Sequence, residues 1–238
     1  MCGRYASSTS IEDLVEEFDI AEVLPGVPEA SWNVAPTQLV RAVVDRHPRQ
    51  DPDLRHTVRS LVPMHWGLVP FWAEDPSGAA RLINARAETA ADKPSFRSAY
   101  RRRRCLLPAD GYYEWQKLDA GKQPWFIHRS DGKPLAMAAL WETWTDRTRP
   151  EDDPDRVLVT CTVLTTAATD VLGHVHDRMP MTVRPEAWDA WLDRDLQDRE
   201  EIAGLLATDP GEGITSHPVS PAVGKVSNNY PELVVPIR

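Results

Sequence analysis

From Ser10 onward the chain places Ile11, Leu14, Val15 and Phe18 at helical intervals, with Glu12 and Asp13 in the first turn. That spacing lines one helix face with apolar side chains, and Thr9 or Ser10 supplies the cap. Past a proline-rich stretch through Pro25 and Pro28 the period changes. Leu39 to Val44 and Thr57 to Trp66 are rich in β-branched residues in partial alternation, the signature of strands, with Pro63 and Pro70 marking breaks. Arg104 to Leu107, Trp125 to His128, Leu135 to Trp141 and Val157 to Leu164 read as further strands. The last is apolar almost throughout and belongs inside a sheet. A short helix is predicted over Phe96 to Arg103. A second, opened by Pro185, carries Ala187, Trp188, Trp191 and Leu192, and a third runs from Arg199 to Leu206 and stops near Pro210. Residues 145–156 are polar and charged, a surface-loop insertion between two strands. Strands outnumber helices without alternating with them. The pattern predicts an α+β fold: one domain over 1–238 with a mainly antiparallel, barrel-like β core and peripheral helices.

Composition narrows the setting. Hydrophobic residues at 42% and charged residues at 26% of 238 are ordinary for a soluble globular protein. The first twenty residues lack the basic start and apolar run of a signal peptide, and no stretch is long enough to span a bilayer, so no membrane partner is expected. Cys2, Cys105 and Cys161 are odd in number and far apart, which fits neither a disulfide framework nor a zinc site. A reducing cytoplasm is the expected location, and neither a cofactor nor a metal is called for. A net charge of −9 argues against indiscriminate coating of nucleic acid. The charge is uneven, however. Acids dominate 145–156 and 186–212, whereas Arg81, Arg86, Lys93, Arg97 and Arg101 to Arg104 crowd one central segment that can hold a local basic groove.

The most distinctive chemistry is at the start, Met1-Cys2-Gly3-Arg4-Tyr5. A small second residue is the usual signal for methionine removal, which would leave Cys2 with a free α-amine beside its thiol. Unperturbed values of about 7.7–8.0 for the amine and about 8.5 for the thiol keep both reactive forms populated near neutrality. Such a 1,2-aminothiol condenses with an aldehyde to an imine, which the thiol closes to a thiazolidine. The same terminus also suits a hydrolytic nucleophile whose own amine is the base. Other clusters stand out. Glu114 lies among aromatics in Gly111-Tyr112-Tyr113-Glu114-Trp115, an environment that raises a carboxyl pKa and suits proton transfer. His174, His176 and Asp177 offer a general acid or base, with metal ligation the weakest reading because companion ligands are missing. Asn84 and Arg86 would point the same way on a strand and together suit a phosphate. Trp66, Phe71 and Trp72 sit in a Gly/Pro-shaped segment that suits stacking on unpaired bases or filling a core, and the Arg101 to Arg104 run either follows a phosphate backbone or is a solvated face.

Taken in order, Met-Cys-Gly-Arg, Trp32-Asn33-Val34-Ala35-Pro36, Trp66-Gly67 with Pro70 and Trp72, Asn84-Ala85-Arg86 with Glu88-Thr89, Gly111 with Glu114-Trp115, His176-Asp177-Arg178-Met179-Pro180, and His217-Pro218-Val219-Ser220 with Val223-Gly224 resemble the SRAP family of SOS response-associated peptidases across nearly the whole chain. The resemblance implies a barrel-like α+β fold, a positively charged groove for single-stranded DNA, and covalent capture of abasic sites through the N-terminal cysteine. It carries catalytic roles onto Cys2, Asn84, Glu114 and His176, and DNA contacts onto Arg4, Trp72 and Arg86. The implied partner is single-stranded DNA containing abasic sites, with the protein on the nucleoid when bound. Tyr112-Tyr113 and Phe71-Trp72 depart mildly from the family's aromatic pairs. Two other readings stay open: an N-terminal-nucleophile hydrolase that processes itself, and a non-covalent nucleic-acid binding module in which Cys2 is incidental.

Overall fold

The computed structural model describes residues 2–47, 57–119, 121–168, 173, 175–206 and 213–237. Short strand β1 (Tyr5–Ser7) leads into helix α1 (Ile11–Glu17), whose cap is Ser10: its side chain accepts from the Asp13 amide. Strands β2 (Glu22–Val23), β3 (Ser31–Val34), β4 (Leu39–Arg46), β5 (Val58–Trp66) and β6 (Asn84–Arg86) follow, the last running into helices α2 (Ala87–Ala90) and α3 (Arg97–Arg102). Next come β7 (Arg104–Ala109), β8 (Gly111–Leu118), β9 (Gly121–Arg129), β10 (Leu135–Thr145), β11 (Val157–Ala167) and β12 (Arg178–Pro180). Helices α4 (Trp188–Leu192) and α5 (Arg199–Gly204) and strand β13 (Ile214–Pro218) complete the chain.

The long strands close on themselves. Antiparallel ladders join β11 to β10, β10 to β7, β7 to β4 and β4 to β5. The ring is completed in parallel, where His65 and Trp66 of β5 meet Thr160 and Cys161 of β11. Alternation along these strands sorts the core into two faces. Val40, Ala42, Met64, Leu107, Met137 and Cys161 join one cluster, which also takes in Cys2, Tyr5 and Tyr112. Val43, Leu61, Leu106, Ala138 and Leu164 face the other way and pack with Leu14, Phe18, Tyr100 and Trp191 from the helices. The second sheet has the order β13-β9-β8-β1-β3 and is antiparallel throughout. Gly111 begins β8 because nothing larger fits: a Cβ there would lie 2.5 Å from the Ile127 carbonyl oxygen and from the Phe126 ring.

The expected α+β class and barrel-like core are present. The predicted strands are found, most with longer ends, as where β9 extends back to Gly121 as a hairpin with β8; β5 instead begins one residue late, at Val58, and runs through Pro63 without a break. The helix opened by Pro185 begins as a 3-10 turn over Pro185–Ala187, and the 145–156 segment is a surface loop between β10 and β11 with a short 3-10 turn at Pro154–Arg156. Pro210 and His174 lie outside the described residues. Among the described residues no helix is long and apolar enough to cross a membrane.

Candidate active site

Cys2 sits at the seam between the two sheets. It precedes β1, which lies between β3 and β8, and its side chain is fully buried in the cluster that the ring shares with Tyr5 and Tyr112. Three short segments bring other groups to it. Strand β6 adds in parallel to β11, with Asn84 beside Val163 and Arg86 beside Thr165. Ala85 between them is buried, so Asn84 and Arg86 share the opposite face, as strand alternation predicts. Asn84 Nδ2 donates to the Cys2 carbonyl at 2.8 Å and ties β6 to the N-terminal segment. Its Oδ1 is buried with no hydrogen-bond partner among the described residues.

Glu114 comes from β8 and His176 from the segment before β12, which pairs with the far end of β11. His176 Nε2 stands 4.0 Å from Glu114 Oε2. At Nδ1, His176 meets the Arg178 amide at 3.0 Å and the Asp177 carboxylate at 2.8 Å. The neutral ring accepts from the amide, leaving the proton on Nε2 toward Glu114, while the protonated ring donates to Asp177. Glu88 and Arg178, which stand out in the sequence only as parts of motifs, position this corner. Arg178 grips Glu88 with two bonds of 2.7 and 3.0 Å and donates to the Thr165 carbonyl, which holds the His176 segment against α2 and the end of β6.

Burial sets the protonation states. Glu114 is 3% exposed, and loss of water pushes its carboxyl pKa up, opposed by the positive amino terminus of the chain with Met1 in place and by His176. The Cys2 thiol is pushed well above the ordinary range, first by burial and then by the charge of Glu114; the amino terminus and the Arg4 backbone N–H act the other way. In the chain that still carries Met1, both leading causes favour the protonated thiol. The site brings together the Cys2 thiol, a carboxyl with a raised pKa and an imidazole beside it.

The sequence model of the family described as SOS response associated peptidase (SRAP) matches residues 1–226. The chain belongs to the SRAP family. Among SRAP relatives, abasic site processing protein YedK of Escherichia coli is 37% identical over 243 residues, covering all of both chains. Abasic site processing protein YoqW of Bacillus subtilis is 35% identical over 236 residues, covering 98% of this chain and 99% of the relative. A crystal structure of a protein from Bacteroides thetaiotaomicron shares the SRAP chain's fold with a TM-score of 0.82 over the full length of both, at 24% identity.

In this SRAP chain Cys2, Asn84, Glu114 and His176 come together, whereas the three residues assigned to DNA are dispersed. Arg86 is exposed at the end of β6. Trp72 is 56% exposed beside Phe71 at 57%, on a loop fastened by a bond from Trp144 Nε1 to the Ala73 carbonyl. Arg4 faces inward: Nη1 donates to Asn33 Oδ1 and the Val223 carbonyl, both at 2.8 Å, and the guanidinium lies over the Trp115 ring. The arginine run divides. Arg101 and Arg102 are exposed, Arg103 pairs with Glu142 at 2.6 Å, and Arg104 is buried with its donors on the carbonyls of Tyr100, Arg101, Trp191, Asp193 and Leu196. Arg103 and Arg104 are thus scaffold, not a phosphate track. Trp66 and His217 are scaffold as well, bonded to the Ile83 and Val234 carbonyls.

Proposed function

We propose that this protein captures abasic sites in single-stranded DNA, once Met1 has been removed, by forming a thiazolidine between Cys2 and the C1′ aldehyde of the ring-opened deoxyribose. The observation that carries this reading is the convergence of the buried Cys2 with Glu114, His176 and Asn84. A protonated thiol is a poor attacking group, so the amine acts first. The neutral amine adds to C1′ to give a carbinolamine, and departure of hydroxide with a proton, as water, leaves the iminium. Glu114 takes up and returns the protons that move on and off nitrogen and oxygen. The sulfur then bonds to C1′, the C=N electron pair returns to nitrogen, and the thiol proton passes to the Glu114 carboxylate. The sum is one water lost. Ring closure removes the iminium that would otherwise drive β-elimination and strand cleavage, so the lesion is shielded.

His176 Nε2, beside Glu114, is assigned to protonate the sugar ring oxygen as the ring opens. Asn84 holds the N-terminal segment, Arg86 meets a flanking phosphate, and Trp72 stacks on a neighbouring base. Arg4 contributes less to phosphate binding than its sequence position implies, because Nη1 is committed to Asn33 and Val223. Preference for single strands needs no base code, since such a groove reads backbone and stacking faces. The names of the relatives support the substrate class. The place of action is the cytoplasm, at the nucleoid when DNA is bound. The hydrolase alternative shares Cys2 and is separated from this reading because it has no requirement for DNA. The test is a denaturing gel of the mature protein with a single-stranded oligonucleotide bearing one abasic site. A heat-stable adduct, absent with undamaged DNA and with Cys2→Ala, is expected; its absence, with Met1 confirmed removed, refutes the reading.

A further inference from the structure

One buried polar group beside Cys2 has no part in these steps. Tyr112 stands two residues before Glu114 on β8, so both side chains leave the strand on the same face. Its register partner across the β1–β8 ladder is Tyr5, three residues beyond Cys2. Tyr112 is 2% exposed and packs in the cluster that contains Cys2. Its hydroxyl has no hydrogen-bond partner among the described residues. Buried hydroxyls are nearly always paired, and an orphan in a reacting site calls for a partner that appears at another stage. Two candidates are near: the Cys2 thiol and the Glu114 carboxylate are the neighbours whose charge acts on this phenol.

We propose that the Tyr112 hydroxyl donates a hydrogen bond to the Cys2 sulfur while it attacks the iminium carbon, and so assists ring closure. The inference rests on the thiazolidine reading. In that step the S–C1′ bond forms, the C=N electron pair moves to nitrogen, and the thiol proton goes to Glu114. Tyr112 keeps its own proton throughout, and nothing is oxidised or reduced. The sulfur is most negative after its proton has begun to leave and before the new bond is complete. Burial and the Glu114 charge both oppose negative charge there, so a neutral donor is the group the site needs. Burial also keeps Tyr112 in its neutral, donating form. Tyr5 is the internal comparison. Its hydroxyl is likewise buried and unpartnered on the same sheet face; the charges acting on it are those of Cys161 first and Cys2 second, but Glu114, which takes the thiol proton, is not among them.

The experiment uses the mature full-length protein, with Met1 removal verified by intact mass, and an oligonucleotide with one abasic site. Rapid quenching with and without borohydride separates imine from closed ring at a series of pH values. Tyr112→Phe is expected to form imine at the parent rate and to close the ring about tenfold more slowly, the loss expected for one hydrogen bond to a charged sulfur. Its closure profile should move to higher pH, because removing the donor disfavours the thiolate. Tyr5→Phe should match the parent. Closure by Tyr112→Phe at the parent rate with the parent profile overturns the proposal. An equal slowing in Tyr5→Phe also overturns it, because the effect then does not belong to Tyr112. A parent that forms neither imine nor ring fails at an earlier point, and that result refutes the covalent reading itself.

Discussion

Replacing Asn33 with alanine removes one buried link between the start of the chain and its end. Asn33 is buried on β3; its Oδ1 accepts from Arg4 Nη1 at 2.8 Å, and its Nδ2 reaches the carbonyls of Val223, Lys225 and Asn228 at 3.2, 3.1 and 2.7 Å. The two amide hydrogens satisfy about two of the three carbonyls at a time. Asn33→Ala therefore loses about two neutral hydrogen bonds and one to a guanidinium, and it leaves their partners in a poorly hydrated place. At about 1 kcal/mol for each neutral bond and about 1.5–3 for the charged one, the loss is about 3–5 kcal/mol. For a chain of this size that is a fall in melting temperature of about 10 °C. Chemical and thermal unfolding followed by tryptophan fluorescence reads the change directly. Adduct formation should also slow severalfold in protein that is still folded, because Arg4 is two residues from Cys2 and keeps only its bond to the Val223 carbonyl. A loss below about 1 kcal/mol would refute the reasoning, since it would mean that water replaces Asn33 without cost.

Three further outcomes follow from the same geometry. The Glu114 carboxyl has a raised pKa in the fold, so the unfolded chain gives up that proton first and stability falls as pH rises through the window between the unfolded and folded values. Glu114→Gln should thus be more stable than the parent in mildly alkaline buffer and equal to it in acid, while its imine formation is slower; denaturant titrations at both pH values and quenched adduct assays check the two halves. Arg86→Ala should weaken DNA binding more at low salt than at high, lowering the slope of log affinity against log salt by about 1 in fluorescence anisotropy titrations. Gly111→Ala has to push the β8–β9 ladder apart at the strand that carries Glu114, and should lower both stability and adduct yield; a variant that matches the parent in both would refute the close-approach argument.

What the sequence revealed and what it hid follow from length and locality. Helix α1 and strands β4, β5, β10 and β11 each carry enough apolar positions for the period to be read directly. Strands β1, β3, β6 and β12 have three or four residues, too few for a period, and each gains its shape from a partner distant in sequence. Those are the strands that position Cys2, Asn33, Asn84 and His176. The site was therefore legible as residue types in motifs but not as a place. The parallel closure of β5 on β11 was hidden for the same reason. Arg104 illustrates the opposite failure. Four consecutive arginines suggest an exposed charge run, yet five backbone carbonyls bury one of them, and no local pattern announces carbonyls supplied largely by the segment around α4. The raised pKa of the Glu114 carboxyl was legible because its environment, a carboxylate among aromatics, is local.

The central claim is that both reactive atoms of the N-terminal cysteine end up bonded to one sugar carbon. Tryptic digestion of the unreduced adduct, with iodoacetamide present, followed by mass spectrometry of the peptide Cys2-Gly3-Arg4, tests it most directly. The account predicts that this peptide carries the deoxyribose remnant at the mass of condensation with loss of one water, stable without borohydride, and that its sulfur resists alkylation. An adduct whose cysteine is alkylated, or one that maps to any other residue, would contradict it.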